Sequence, residues 1–231
     1  MDTRNAEGGS GKALTAAWLG IFFAVLTWSA IEPRDGLTWF LEVFPALLAL
    51  LVLAITRKRF PLTPLAYTLI LVHSIILMVG GHYTYAEVPL GEWLKAVAGL
   101  ERNNYDKLGH LAQGFIPAIV AREILVRGAI IDGAAWRNFF IVCFALGFSA
   151  FYELIEWGVA LLSGEAAEAF LGTQGYVWDT QSDMAMALFG AIAALALLGR
   201  WHDRQLRALC TQRPRPAGQS GTAGWEKSGS S

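Results

Sequence analysis

Charge is scarce in this chain. Of its 231 residues only 16% are Asp, Glu, Lys or Arg, and 55% are hydrophobic. A soluble domain carries about 25% charged residues, so lipid is the expected solvent for much of this sequence. Charge of one sign is lacking too: 18 Lys and Arg stand against 19 Asp and Glu, a net charge of −1. That balance excludes a basic nucleic-acid binder and an acidic disordered chain as the main theme. Two cysteines, Cys143 and Cys210, exclude a disulfide framework. There is no CxxC pair and no phosphate-cradling GxxxxGK[ST]. The string GFSAF at 147–151 lacks the second glycine of a nucleophile elbow.

What is present is a series of apolar runs. A bilayer core needs roughly 20 apolar residues of helix. Six stretches meet or approach that length: Ala13–Ala30, Leu37–Thr56, Phe60–Gly81, Asp106 to about Val126, Asn138–Ser163, and Asp179 to about Gly199. Long runs of Leu, Ala and Phe without alternation exclude a β-barrel. The expected fold is therefore an all-α polytopic bundle of six transmembrane helices. It forms one domain over 1–205, with a short N-terminal segment at 1–12 and a disordered Gly/Ser/Pro-rich tail over 206–231. The first run is too long for the apolar region of a cleaved signal, and Trp28 spoils a cleavage site, so it reads as a retained anchor.

Basic residues orient the bundle. Fourteen of the eighteen fall on one set of alternate sides, including Arg57, Lys58, Arg59, Arg122, Arg127 and Arg200. Only Arg34, Lys95, Arg102 and Lys107 fall on the other. The positive-inside rule then predicts both termini in the cytoplasm of a bacterial inner membrane. The outer loop at 82–105 carries Leu90, Trp93, Leu94, Val97 and Leu100 at helical spacing, which predicts an amphipathic helix in the outer interface. Tyr83, Tyr85, Tyr105, Tyr176 and Trp178 are expected in an aromatic belt at that level.

Ionisable groups within a bilayer cost about 2.5–3.5 kcal/mol each even on insertion scales, so each needs a reason. Here they come in same-face pairs: Asp106 with His110, Glu153 with Glu156, and Asp179 with Asp183. All three pairs fall in the outer half of their spans. The fifth span sets 13 Leu, Ile, Val and Phe against its two acids. The apolar set contributes about −4 to −8 kcal/mol against about +5 to +7 for the two acids, so these glutamates cannot face lipid. Four readings of the cluster stay open: interhelical hydrogen-bonded glue, a metal site, metal-free acid/base chemistry, and a proton or ion pathway.

For a metal, His110 with Asp106, Asp179, Asp183 and Glu156 offers a mixed nitrogen and oxygen set. It suits Zn, Mn or Fe, and Mg less well. His82 reaches toward the same level from the loop. Glu153 and Glu156 are the candidate catalytic ligand or base. The remaining groups read as structural. His73 is an imidazole bonded to a neighbouring helix, Glu42 pairs with an outward Arg, and Glu123 with Arg127 is an i,i+4 pair. His202 is solvated, and Arg102 and Lys107 snorkel toward headgroups.

Three motifs carry a resemblance. RNNYDKLGHLAQGF (102–115), FYELIEW (151–157) and GTQGYVWDTQSD (172–183), together with HYTYAEVP upstream, resemble the YjdF family of bacterial inner-membrane proteins over most of 15–200. The resemblance implies location and architecture and lends no catalytic residue. A looser similarity is to VanZ-like membrane proteins. Asp106, Lys107 and His110 match a DKxxH helix start, and Glu153 or Glu156 matches a later glutamate. Asp183, Gly190 and Ala191 match a last-helix motif, in which Ala187 stands where that pattern has Asn.

Together these readings predict an outward-facing His/Asp/Glu site. Its first expected use is a divalent-metal-dependent reaction, with one or two ions, on a lipid or envelope precursor. A small proton- or ion-coupled transporter and a non-catalytic envelope scaffold are the alternatives. Membrane lipid is the expected partner, nucleic acid is not, and the residues are silent on oligomeric state.

Overall fold

The computed structural model describes residues 3–163 and 174–212, and the fold is all helical. Seven α-helices are seen among the described residues: α1 (Thr3–Ser29), α2 (Gly36–Thr56), α3 (Pro64–Tyr83), α4 (Pro89–Ala98), α5 (Tyr105–Arg127), α6 (Ala134–Ser163) and α7 (Asp179–Gln212). A 3₁₀ turn at Tyr85–Glu87 links α3 to α4. The long runs became helices because they are rich in straight-chain and small apolar residues. Their ends are set by local chemistry. Asp35 caps α2 by accepting from the Thr38 amide at 2.7 Å, and that bond holds its carboxyl below the usual range. Thr63 caps α3 with Pro64 in the first turn, and α4 stops at Gly99, whose φ of +64° suits glycine.

Five of these helices are long and apolar enough to cross a membrane: Gly11–Ser29, Gly36–Thr56, Pro64–Tyr83, Ala134–Leu162 and Asp179–Leu209. The chain is a polytopic helical membrane protein. The expected fourth span, now α5, is not among the five. Its 23 residues include Asp106, Lys107, His110, Arg122, Glu123 and Arg127, which dilute its apolar character. Packing explains how so polar a helix is tolerated. α5 is the central element, laid most intimately against α7 and flanked by α3 and α6, with α1 and α2 outside α3. Its polar groups are thereby screened by neighbouring helices.

The α5–α7 contact is close because both helices are notched by small residues. Ala187, Ala191 and Ala194 of α7 are fully buried, and Gly190 lies against the Leu111 carbonyl. One apolar cluster fills the α5–α6–α7 side around Ile119, Ile141 and Ala194. Another joins α1, α2 and α3 around Phe22, Val43 and Met78. α4 leaves Leu90, Trp93, Leu94 and Val97 exposed, with Glu92 and Lys95 its charged residues. α7 continues through Gln212, seven residues into the stretch expected to be a disordered tail. Leu206 is buried there, and Gln205 Oε1 accepts from the Leu65 amide at 2.9 Å, so this part is tied to the bundle. The rest of the expected tail, 213–231, lies outside the described residues.

Candidate functional site

α5 supplies the spine of the site. Asp106, His110 and Gln113 are spaced four and three apart and so share one buried face. α7 brings Asp183 and Asp179, and α6 brings Glu153 and Glu156. All of these are buried. One candidate ligand atom from each of Asp106, His110 and Asp183 lies within 4.8 Å of the other two. His110 Nε2 is 3.4 Å from Asp106 Oδ1, while its Nδ1 is 3.1 Å from Gln113 Oε1 and 3.8 Å from Glu153 Oε1. A neutral ring that donates from Nδ1 to Gln113 keeps the Nε2 lone pair for the space beside Asp106.

Arg102 and Lys107 do not snorkel, as their position at the helix start suggested. Their side chains are largely enclosed, each 14% exposed, against the aspartates. Arg102 Nη1 is 2.6 Å from Asp179 Oδ1, and Lys107 Nζ is 2.8 Å from the same oxygen and 2.5 Å from Asp183 Oδ1. Both cations also lie over the Tyr176 ring. The carboxyls meet Lys107 in the first turn of α5 and Arg102 just before it. Asp179 is thus committed to an ion-pair network. Asp106 Oδ2 and Glu153 Oε1 are buried with no hydrogen-bond partner, although Oδ2 lies 3.9 Å from Arg102 Nη2 and 3.8 Å from Lys107 Nζ, and Oε1 lies 3.8 Å from His110 Nδ1.

Glu42 is the residue that sequence reasoning misplaced. It does not pair with an arginine. It is buried in α2, where Tyr152 of α6 donates to its Oε2 over 3.4 Å and the Tyr85 phenol lies within hydrogen-bonding reach. Tyr85 is correspondingly buried rather than part of an interfacial belt. Its ring is slotted between Gly80 and Gly109, where an added Cβ would come within 2.4 and 2.9 Å of it. Tyr105 is likewise buried, donating to the Ile76 carbonyl at 3.2 Å. The signal for Tyr85 was present in the glycines of α3 and α5. Glu42, a lone acid in an apolar run, had no partner pattern to betray it.

His82 is placed elsewhere. Its Nδ1 lies 3.1 Å from the Ser29 carbonyl oxygen and its ring packs on Trp28, so its contacts are with α1 and not with the cluster. His73 lines a cavity with its Nε2 unpartnered, rather than bonding a neighbouring helix. At the opposite end of the bundle His202 is fully buried, not solvated. It is 3.1 Å from Glu123 Oε2 and 3.2 Å from Arg122 Nη1. Glu123 pairs with Arg127 at 2.7 Å, as its spacing predicted, and also accepts from the Thr63 amide and hydroxyl. This second cluster is closed on itself.

A cavity of about 1090 Å³ joins these observations. α3 and α5 form its floor, and α2 and α6 form its walls. α2 and α6 are not packed on each other along their lengths. The walls are apolar, from Leu48 and Val52 on one side to Phe140, Phe144 and Phe148 on the other. Polar groups gather at one end: Glu42, Tyr85, Asp106, His110, Gln113, Tyr152 and Glu156. A chamber of this size is at or above the upper end for small-molecule sites.

The stretch of chain that carries this site is similar to known proteins. The family described as "Predicted membrane protein (DUF2238)" matches residues 14–204. The Escherichia coli (strain K12) protein named inner membrane protein YjdF is 55% identical over 183 residues, covering 79% of this chain and 88% of that protein. This chain belongs to the YjdF family of inner-membrane proteins. No solved structure matches it. As a YjdF-family member the chain is a multi-pass inner-membrane protein in contact with lipid. Its buried Asp106/His110/Asp183 group has the composition to hold a metal ion.

Proposed function

We propose that this YjdF-family protein is a divalent-metal-dependent membrane enzyme acting on a lipid or lipid-like envelope precursor. The observation that carries the reading is an apolar groove whose single polar end is crowded with acids. Around that end Glu42, Asp106, Glu153, Glu156, Asp179 and Asp183 face two permanent cations, Arg102 and Lys107, and one imidazole. So many buried carboxyls need further positive charge, from protons or from a bound dication. Asp106, His110 and Asp183 would hold the ion, with Gln113 fixing the imidazole. Ligands to such ions sit about 2.0–2.2 Å from the metal, so the three groups would draw in from their present spacing. The ion would act as a Lewis acid on an ester or phosphoryl oxygen. Glu153 and Glu156, one helix turn apart, are placed to act as ligand or to take a proton from water.

The transmembrane arrangement belongs to the same proposal. α5 is the sixth span, screened by its neighbours. The residues up to about 205 form one membrane domain, and both termini are cytoplasmic, as the distribution of basic residues supports. The acid-rich end of the groove then faces the outer leaflet. A reporter fused to the C-terminus that is active only on the outer side would reverse this orientation. A transporter would need a polar route through the bundle. Between the two polar clusters the groove offers only His73 and Ser74, and Glu123 beyond them is fully partnered.

The test is metal content and metal-dependent stability. Purified protein should carry a stoichiometric divalent ion, and added Zn²⁺ or Mn²⁺ should raise its melting temperature. His110→Ala should lose both effects. Protein with no bound ion and an unaltered response in His110→Ala would end the proposal.

A further inference from the structure

The groove says where a substrate would come from. Its lining extends on α2 from Glu42 to Thr56 and on α5 from Asp106 to Leu125. At 1.5 Å per residue these are about 21 and 28 Å of helix. Half of a bilayer's hydrocarbon core is only about 15 Å. The groove is therefore longer than one leaflet is deep, and apart from His73, Ser74 and Thr56 it is apolar beyond its head. A water-soluble precursor would need the polar end alone. A groove of this length fits a hydrocarbon chain.

Its sides are open where a chain would enter. Leu48 and Val52 of α2 and Phe140 and Phe144 of α6 are each about half exposed, and the two helices do not close on each other. An intramembrane slot with exposed apolar lips admits a ligand sideways from lipid, with no barrier of polar desolvation. The head of the slot is rich in acceptors. Glu42 stands there with two phenols, Glu156 lines the same end, and Asp106 Oδ2 has no hydrogen-bond partner. Pro45 and Pro117, both in the lining, remove the helical donors of the Leu41 and Gln113 carbonyls at the same level. The carboxylate and carbonyl acceptors gathered there outnumber the phenol donors, which favours a head that supplies N–H or O–H.

We infer that the α2–α6 groove is the seat of a long-chain bilayer lipid, taken in sideways, whose hydrogen-bond-donating head lies against Glu42. This deepens, and rests on, the reading of the cluster as an enzyme site, because it names the bilayer rather than the aqueous phase as the source of substrate. Glu42, Tyr85 and Tyr152 become headgroup-positioning residues. The opposing cluster around His110 is left for the chemistry.

The experiment uses the full chain in lipid nanodiscs containing a trace of phosphatidylethanolamine with a diazirine near the end of one acyl chain. After illumination, peptide mapping should place label on the groove-lining residues of α2 and α6 in several-fold excess over the outward face of α1. Ala49→Trp fills the groove wall away from Glu42 and should remove most of that label. Val52→Trp, three residues further along, serves the same purpose if Ala49→Trp does not fold. Unlabelled dioleoylphosphatidylethanolamine should compete. Dioleoylphosphatidylcholine, whose head has no hydrogen to donate, should compete several-fold less well. Even labelling around the bundle, label that survives both tryptophans, or equal competition by the two lipids would overturn the inference. His110→Ala separates this inference from the metal proposal: groove labelling should persist in that variant. Loss of labelling there would refute a seat built on Glu42, whereas absence of metal with labelling intact would refute the metal alone.

Discussion

Gly114 of α5 lies so close to Ala187 of α7 that a Cβ built on the glycine would fall 1.8 Å from the Ala187 carbonyl oxygen. Gly190 has the reciprocal relation to Leu111, at 2.2 Å. Backbone against backbone leaves nothing flexible to move aside, so the two helices would have to separate. Gly114→Ala and Gly190→Ala are expected to cost about 1–3 kcal/mol or more each, read as a lowered melting temperature in detergent. Gly147→Ala, which meets nothing within 4 Å, is the control and should be neutral. Because this contact carries Asp183 to His110, the damaging pair should also weaken divalent-ion binding. Equal stability of all three variants would show that the α5–α7 contact is not the tight seam described.

Much of this architecture was readable from the chain. Apolar run length located the helices, and the i,i+4 spacing of Asp106 with His110 and of Asp179 with Asp183 pointed two polar faces at one level. Helical spacing of Leu90, Trp93 and Leu94 located α4 as well. What could not be read depended on which helix faces which. His202 looked solvated because charged residues surround it, yet α7 runs on to Gln212 and stays packed against α5. Arg102 and Lys107 looked like headgroup contacts because the acids that hold them most closely, Asp179 and Asp183, are more than 70 residues away. Glu42 lacked even a local neighbour of its own kind. Local periodicity reveals a face, and only the tertiary arrangement reveals its partner.

Lys107 occupies the charge position that a metal would claim. Its ammonium lies 2.5 Å from Asp183 and 2.8 Å from Asp179. Lys107→Gln leaves two buried aspartates short of a cation. Removing one partner of a buried pair typically costs about 3–5 kcal/mol, so stability without metal should fall. The same change removes a competitor for the dication, so Mn²⁺ or Zn²⁺ should restore the melting temperature more strongly than in the parent protein. A drop without metal rescue would mark the cluster as a simple ion-pair lock.

The closed cluster at the far end should behave differently. Glu123 holds Thr63, Arg127 and His202 together and is fully buried. Glu123→Ala strands two basic groups at once and should destabilise by about 3–5 kcal/mol. It should leave divalent-ion affinity, measured on the folded fraction, unchanged. Lost metal binding at a temperature where the variant is folded would show that the two ends are coupled.

Glu153 and Glu156 decide between an active centre and a packing device. If their carboxyls only fixed helix register, apolar replacements of similar size would be tolerated or would firm the fold, since a buried charge is seldom the most stable occupant of its place. The groove geometry predicts a split outcome instead. Glu153→Gln with Glu156→Gln keeps volume and hydrogen-bonding capacity while removing two acids beside His110. Melting temperature without metal should hold or rise, because fewer carboxyls are then left short of positive charge. Apparent affinity for the divalent ion should fall by about 10–100-fold, the usual cost of losing groups that orient or neutralise a metal's ligands. Titration calorimetry reads the affinity, and scanning calorimetry the melting temperature, of the double variant and its parent. Unchanged affinity alongside raised stability would assign the glutamates to packing and leave His110 and its aspartates to hold the ion alone.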